Sequence, residues 1–156
     1  MDKGFSLIEL AIALFILVLS VVFLVTLGIN YLLILNSVKS RYLALNLAQE
    51  GIELAIALRN KQIETGSSPS WLGVNTKGSY CLSFNTTTKQ INVFSSSNPC
   101  STTIPGYTRL ITYSDFLNPG NTDLKTAAAT KVTSEVYFGR DKIQLDVVLT
   151  KWHPSQ

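Results

Sequence analysis

The hydrophobic pattern divides the chain into three stretches with different periods. Residues 10–38 contain no charged side chain, and residues 10–35 are dominated by Leu, Ile, Val, Phe and Ala. From residue 38 to 63 apolar side chains recur at Leu43, Leu45, Leu47, Ala48, Ile52, Ala55, Ile56 and Ile63, close to the i, i+3, i+4 spacing of a helix with one buried face. No proline occurs before Pro69. One helix is therefore expected from about residue 5 to 64, about 90 Å long at 1.5 Å per residue. Gly66-Ser67-Ser68-Pro69-Ser70 stops it with turn-forming chemistry. Beyond that point the period falls to two. Short strands are expected at residues 79–84, 90–94, 107–113, 131–138 and 142–152. Val132, Ser134, Val136 and Phe138 alternate with outward Thr133, Glu135 and Tyr137, while Ile143, Leu145, Val147 and Leu149 alternate with Gln144, Asp146, Val148 and Thr150. Gly139-Arg140-Asp141 closes this last pair as a hairpin, and residues 85–89 read as a polar turn. An antiparallel sheet with one apolar face is what the upper part of the helix needs to cover it.

Composition explains where the hydropathy sits. The chain has 156 residues, 46% hydrophobic and 15% charged, with a mean hydropathy of +0.24. One modest domain of that length does not need such an excess for its core, so the excess belongs to the N-terminal run, which exceeds the 18 to 20 apolar residues that cross a bilayer. A cleaved secretory signal is about half as long, so the segment is expected to be retained. Glu9 stands at the mouth of this run. Its plain reading is an interfacial acid favoured by the positive end of a helix dipole; its functional reading is a membrane carboxylate that needs a partner.

The surrounding residues supply that partner. Gly4-Phe5-Ser6-Leu7-Ile8-Glu9-Leu10, after the short polar leader Met1-Asp2-Lys3, resembles the processing signal of the type IV pilin superfamily, which includes type II secretion pseudopilins and competence pilins. The resemblance implies cleavage between Gly4 and Phe5 by a membrane aspartyl peptidase, followed by N-methylation of Phe5. Gly4 places no side chain at the scissile bond. The amine freed on Phe5 of one subunit is then the implied partner of Glu9 on its neighbour, neutralising two charges that are costly in lipid. Ala48-Gln49-Glu50-Gly51-Ile52-Glu53, followed by Arg59-Asn60 and Trp71-Leu72, is also similar to a subgroup of minor pilins. The implied organisation is an α+β, pilin-like chain: leader 1–4, transmembrane and filament-core helix 5–38, amphipathic upper helix 39–65 and antiparallel β head 66–156. Gly51 reads as a close-packing position or a tolerated helix defect, and Gly28 as a place where the resemblance allows the helix to lose order and extend.

The positive-inside rule points the other way, because Lys39 and Arg41 follow the span while only Lys3 precedes it. The leader must nevertheless meet its peptidase on the cytoplasmic side, and the amine of Met1 adds a positive charge there, so the head is expected to be exported. In an exported head Cys81 and Cys100 read as a disulfide, the alternative being two unrelated buried thiols. Catalysis by a Ser-His-Asp set would rest on His153 near the C-terminus, and no phosphate loop, metal-ligand cluster or paired acid motif stands out. Asn85-Thr86-Thr87 fits a glycosylation acceptor, a triplet frequent by chance. Tyr80, Tyr107, Tyr113, Tyr137, Trp71 and Trp152 read as half-buried strand aromatics. The charge of +3 is dispersed, which disfavours nucleic acid as a partner of the head.

The expectation is a non-enzymatic structural subunit without a cofactor. It would sit in the cytoplasmic membrane as a precursor and then in an extracellular pilus or periplasmic pseudopilus. Its partners would be other pilin subunits, the prepilin peptidase, the assembly platform and, before assembly, the bilayer. The alternatives are a secretion pseudopilin, a pilus-tip adhesin or DNA-uptake subunit, and an uncleaved single-span membrane protein.

Overall fold

The structure, a computed structural model, describes residues 7–65, 70–74, 76–116 and 129–151. It is an α+β chain: one N-terminal helix, α1 (Leu7–Thr65), followed by a six-stranded antiparallel sheet. The strands are β1 (Gly78–Asn85), β2 (Gln90–Ser95), β3 (Cys100–Ser101), β4 (Tyr107–Asp115), β5 (Ala129–Phe138) and β6 (Asp141–Thr150). Two compact units divide the chain, Met1–Ser40 and Arg41–Gln156.

In the first unit the helix is long and apolar enough to cross a membrane, and its side chains from Leu7 to Val38 are solvent-exposed. The hydroxyls of Ser20 and Thr26 are satisfied within the helix. Ser20 Oγ donates to the carbonyls of Ile16 and Leu17 at 3.0 and 2.8 Å, and Thr26 Oγ1 donates to Val22 O at 2.9 Å. A hydroxyl bonded to the preceding turn costs little in hydrocarbon, whereas a free one costs several kcal/mol. The helix runs through Gly28 without a break.

In the second unit the helix lies on the sheet through Ala44, Leu47, Ala48, Gly51, Leu54, Ala55 and Leu58, all buried. This stripe is narrower and rotated relative to the expected one. Leu43, Ile52, Ile56 and Ile63 are only half-buried and Leu45 is exposed. The small residues Ala44, Ala48, Gly51 and Ala55 take the centre because they let the helix backbone come close to the strands, which leaves the bulkier aliphatics on the flanks.

Strand order is β2-β1-β4-β5-β6, with β3 pairing to β4 beside β1. The registers Val132↔Val147, Ser134↔Leu145 and Val136↔Ile143 put the expected inward residues of β5 and β6 on one face. A two-residue turn, Gly139-Arg140, joins them, with Gly139 at φ 59°; a left-handed residue at that point matches the strand twist. The five expected strands all occur, each within a few residues of its expected bounds, and the two-residue β3 is additional. Trp152 lies outside the described residues.

Two apolar clusters fill the space between helix and sheet. The larger joins Leu54, Ala55 and Leu58 to Trp71, Leu72, Tyr80, Ile111, Tyr113, Val132 and Leu149. The smaller joins Ala44, Leu47 and Ala48 to Val136, with Tyr107, Phe138 and Ile143 against it. Tyr80 and Tyr113 meet edge to face at 5.7 Å, and Tyr107 and Phe138 stack at 5.8 Å. After the helix, Gly73 adopts φ 77°, and a Cβ there would come within 2.7 Å of Leu58 Cγ. That glycine lets the chain turn close against Leu58, with Trp71 and Leu72 buried before it and Val74 buried after it.

Candidate functional site

The residues singled out in the sequence fall in two places. At the N-terminus, Gly4 and Phe5 lie outside the described residues. Glu9 occupies the first turn of α1, where its charge opposes the positive helix end. It is exposed and has no hydrogen-bond or ion-pair partner among the described residues. At the start of a helix long and apolar enough to cross a membrane, a carboxylate with no partner among the described residues can accept from another molecule.

In the head, Cys81 of β1 and Cys100 of β3 form the disulfide, with Cα atoms 5.9 Å apart and a sequence separation of 19. The bond stands where the sheet changes partners. β1 pairs with β4 only through Gly78↔Tyr113, Ser79↔Thr112 and Tyr80↔Ile111, after which β3 takes its place through Cys100↔Arg109 and Ser101↔Thr108. The disulfide spans the seam where β1 leaves β4, holding two segments that share no ladder.

Below this seam lies a polar node that sequence reasoning passed over. Arg109 is 7% exposed. Its Nη1 donates to Leu47 O of the helix at 2.8 Å, and its Nη2 donates to Leu82 O of β1 at 3.1 Å. Glu50 Oε1 lies 3.4 Å from the guanidinium. Gly51 stands next to it, and a Cβ there would meet Ser134 Oγ at 2.5 Å, Arg109 Cδ at 2.9 Å and Ile111 Cδ1 at 3.3 Å. Of the two readings that the sequence leaves for Gly51, close packing or a tolerated defect, the structure shows close packing. Strand parity held the missing signal: Arg109, Ile111 and Tyr113 share one face of β4, so the arginine had to point inward and find acceptors.

The outer face of β5 and β6 carries two charge networks. Lys142 donates to Glu135 Oε1 at 2.7 Å and the Tyr137 hydroxyl to Glu135 Oε2 at 2.6 Å, and together they hold the Glu135 carboxyl below its ordinary range. The Thr133 hydroxyl at 2.7 Å and Lys131 Nζ at 3.0 Å do the same for Asp146. Burial raises the Tyr113 phenol well above its ordinary value, with Tyr80 adding to the effect. Asn85 Oδ1 accepts from the backbone N–H groups of Thr87 and Thr88 at 2.9 and 3.1 Å, so this side chain closes the β1–β2 turn. His153 lies outside the described residues.

Comparison with known proteins found no matching family model, no matching curated protein and no matching solved structure.

Proposed function

We propose that this chain is a structural subunit, of the minor pilin kind, of a type IV pilus-like filament, processed after Gly4 and assembled through its N-terminal helix. One observation carries the reading. The processing-type string Gly4–Leu10 runs directly into a helix long and apolar enough to cross a membrane, whose only early acid, Glu9, has no partner among the described residues. In this reading the precursor rests in the cytoplasmic membrane with its head exported. Cleavage exposes the amine of Phe5, and Glu9 of an incoming subunit pairs with that amine on a neighbour. Exchanging lipid for neighbouring helices then leaves no charge uncompensated. The apolar side chains of residues 10–38, exposed in the isolated chain, have acyl chains as partners first and other helices afterward.

Two measurements test it. Mass spectrometry of the mature N-terminus is expected to find methylated Phe5; an intact Met1 on membrane-inserted protein from cells containing the peptidase would refute processing. Glu9→Gln is expected to leave insertion and the disulfide unchanged and to reduce recovery in sheared filaments by about tenfold, the equivalent of 1.4 kcal/mol. Undiminished recovery would sink the assembly role of Glu9.

A further inference from the structure

Where β1 and β3 separate, the head opens a cleft of about 390 Å³, at the small end of the range in which proteins hold low-molecular-weight ligands. Its floor is the Arg109–Glu50 pair, one wall is Ser83 and Phe84, and the other is Ser101 and Thr103. We propose that this cleft is a binding site for a neutral saccharide, a role independent of the filament reading and not needed for it.

The first argument is the hydrogen-bonding inventory. A sugar hydroxyl both donates and accepts, so it suits a site that mixes donors, acceptors and groups that are both. Arg109 supplies donors only, and its guanidinium is buried and held in place by Leu47 O and Leu82 O. Glu50 supplies acceptors only; its side chain is 46% exposed and touches Arg109 at just 3.4 Å, so its oxygens retain free lone pairs. Ser83, Ser101 and Thr103 supply both. Backbone groups add to this set. Ser96 N donates to Ser79 O, so the alternation of an antiparallel ladder bonds Cys81 and Ser83 to β2 and turns the N–H of Leu82 and the N–H and C=O of Phe84 toward the cleft, the Leu82 carbonyl being taken by Arg109. Thr102 N donates to Tyr107 O, so by the same alternation Ser101 turns its backbone groups away from β4.

The second argument is charge and shape. The two ions of the floor cancel: an anion entering the cleft meets Glu50, a cation meets Arg109, and a neutral polyol meets neither penalty. Phe84 is 52% exposed at the wall, an apolar ring beside polar groups. That combination fits a pyranose, whose C–H face packs on an aromatic ring while its hydroxyls reach sideways. The volume admits roughly one to two sugar rings. A peptide strand is a poorer occupant, because the disulfide holds the two walls with Cα atoms 5.9 Å apart at one end, which leaves no room there for a strand about 4.8 Å from each edge.

The test uses the full chain in a detergent free of sugar and choline, titrated with the methyl glycosides of galactose, glucose, mannose and N-acetylglucosamine. N-acetylneuraminic acid and choline serve as charged comparisons. At least one neutral glycoside is expected to saturate with a Kd of about 1 mM or tighter. Phe84→Ala is expected to weaken it at least tenfold, and Ser83→Trp, at an exposed position away from the core, to abolish it while leaving thermal unfolding unchanged. Failure of all four glycosides to saturate, a preference for either charged probe, or binding that survives both substitutions would overturn the proposal.

Discussion

Gly51→Ala is the most exacting perturbation of this head, because two opposite effects can be weighed at one atom. In an unencumbered helix the change stabilises by about 1 kcal/mol, since alanine restricts the unfolded chain more than glycine does. Here the new methyl would sit 2.5 Å from Ser134 Oγ and 2.9 Å from Arg109 Cδ. Neither neighbour has somewhere to go. Ser134 is fully buried on β5, and Arg109 is bonded to both the helix and β1. Relief requires the helix to lift or the arginine to swing out, at about 1–3 kcal/mol for overpacking, together with about 1 kcal/mol for each Arg109 hydrogen bond that lengthens. The net expectation is a loss of about 1–4 kcal/mol, a fall in the head's unfolding midpoint of about 4–16 °C, measured by circular dichroism of the full chain in detergent. Ser134→Ala removes a buried hydroxyl that has no hydrogen-bond partner among the described residues, so alone it is expected to be neutral or stabilising. Combined with Gly51→Ala it should recover at least half of the loss. A Gly51→Ala chain that melts at or above the wild type, or a double variant with no recovery, would show that the helix is not seated as described.

The Cys81–Cys100 bond closes a 19-residue stretch and should contribute about 3 kcal/mol, so Cys81→Ser/Cys100→Ser is expected to lower the urea midpoint and to remove the effect of added reductant on it; equal midpoints would refute that contribution. Acid should weaken the head through Glu135 and Asp146. Both carboxyls are held below their ordinary values by Lys142, Tyr137, Thr133 and Lys131. Their stabilisation is therefore complete above the unfolded values of about 4.3 and 3.9 and is lost as pH falls through the lower folded ones. Glu135→Gln is expected to flatten the stability profile below about pH 5, as read by thermal melts across pH 2 to 7, and an unchanged acid limb would count against the network. Solvent screening keeps this effect small.

Much of the head was legible in the sequence because period two is a direct record of which face a strand buries. The inward Val132, Ser134, Val136 and inward Ile143, Leu145, Val147 were readable position by position. The helix face was less so. Residues 41–58 offer aliphatics on more than one side, and what selects the buried stripe is the closeness of approach allowed by Ala44, Ala48, Gly51 and Ala55. Periodicity counts hydrophobicity and is blind to size. β3 escaped notice for a different reason: two residues have no period, and Cys100–Ser101 is a strand only because β1 leaves β4 uncovered there. Arg109 went unnoticed because an isolated charge in a strand reads as solvated unless its parity with Ile111 and Tyr113 is followed.

The seat of Gly51 and the grip of Arg109 on Leu47 O have a mechanical side. The contact between helix and sheet is smooth and greasy above and below this point, and two oiled surfaces slide easily past each other. The notch and the guanidinium act as a key in a keyway between them: rotating the helix drives a side chain into Ser134, and shifting it along its axis pulls Leu47 O away from Nη1. A tension applied to the head through the Ser40 end of its helix must therefore break this lock in shear, all its parts at once, before either apolar cluster can begin to slip.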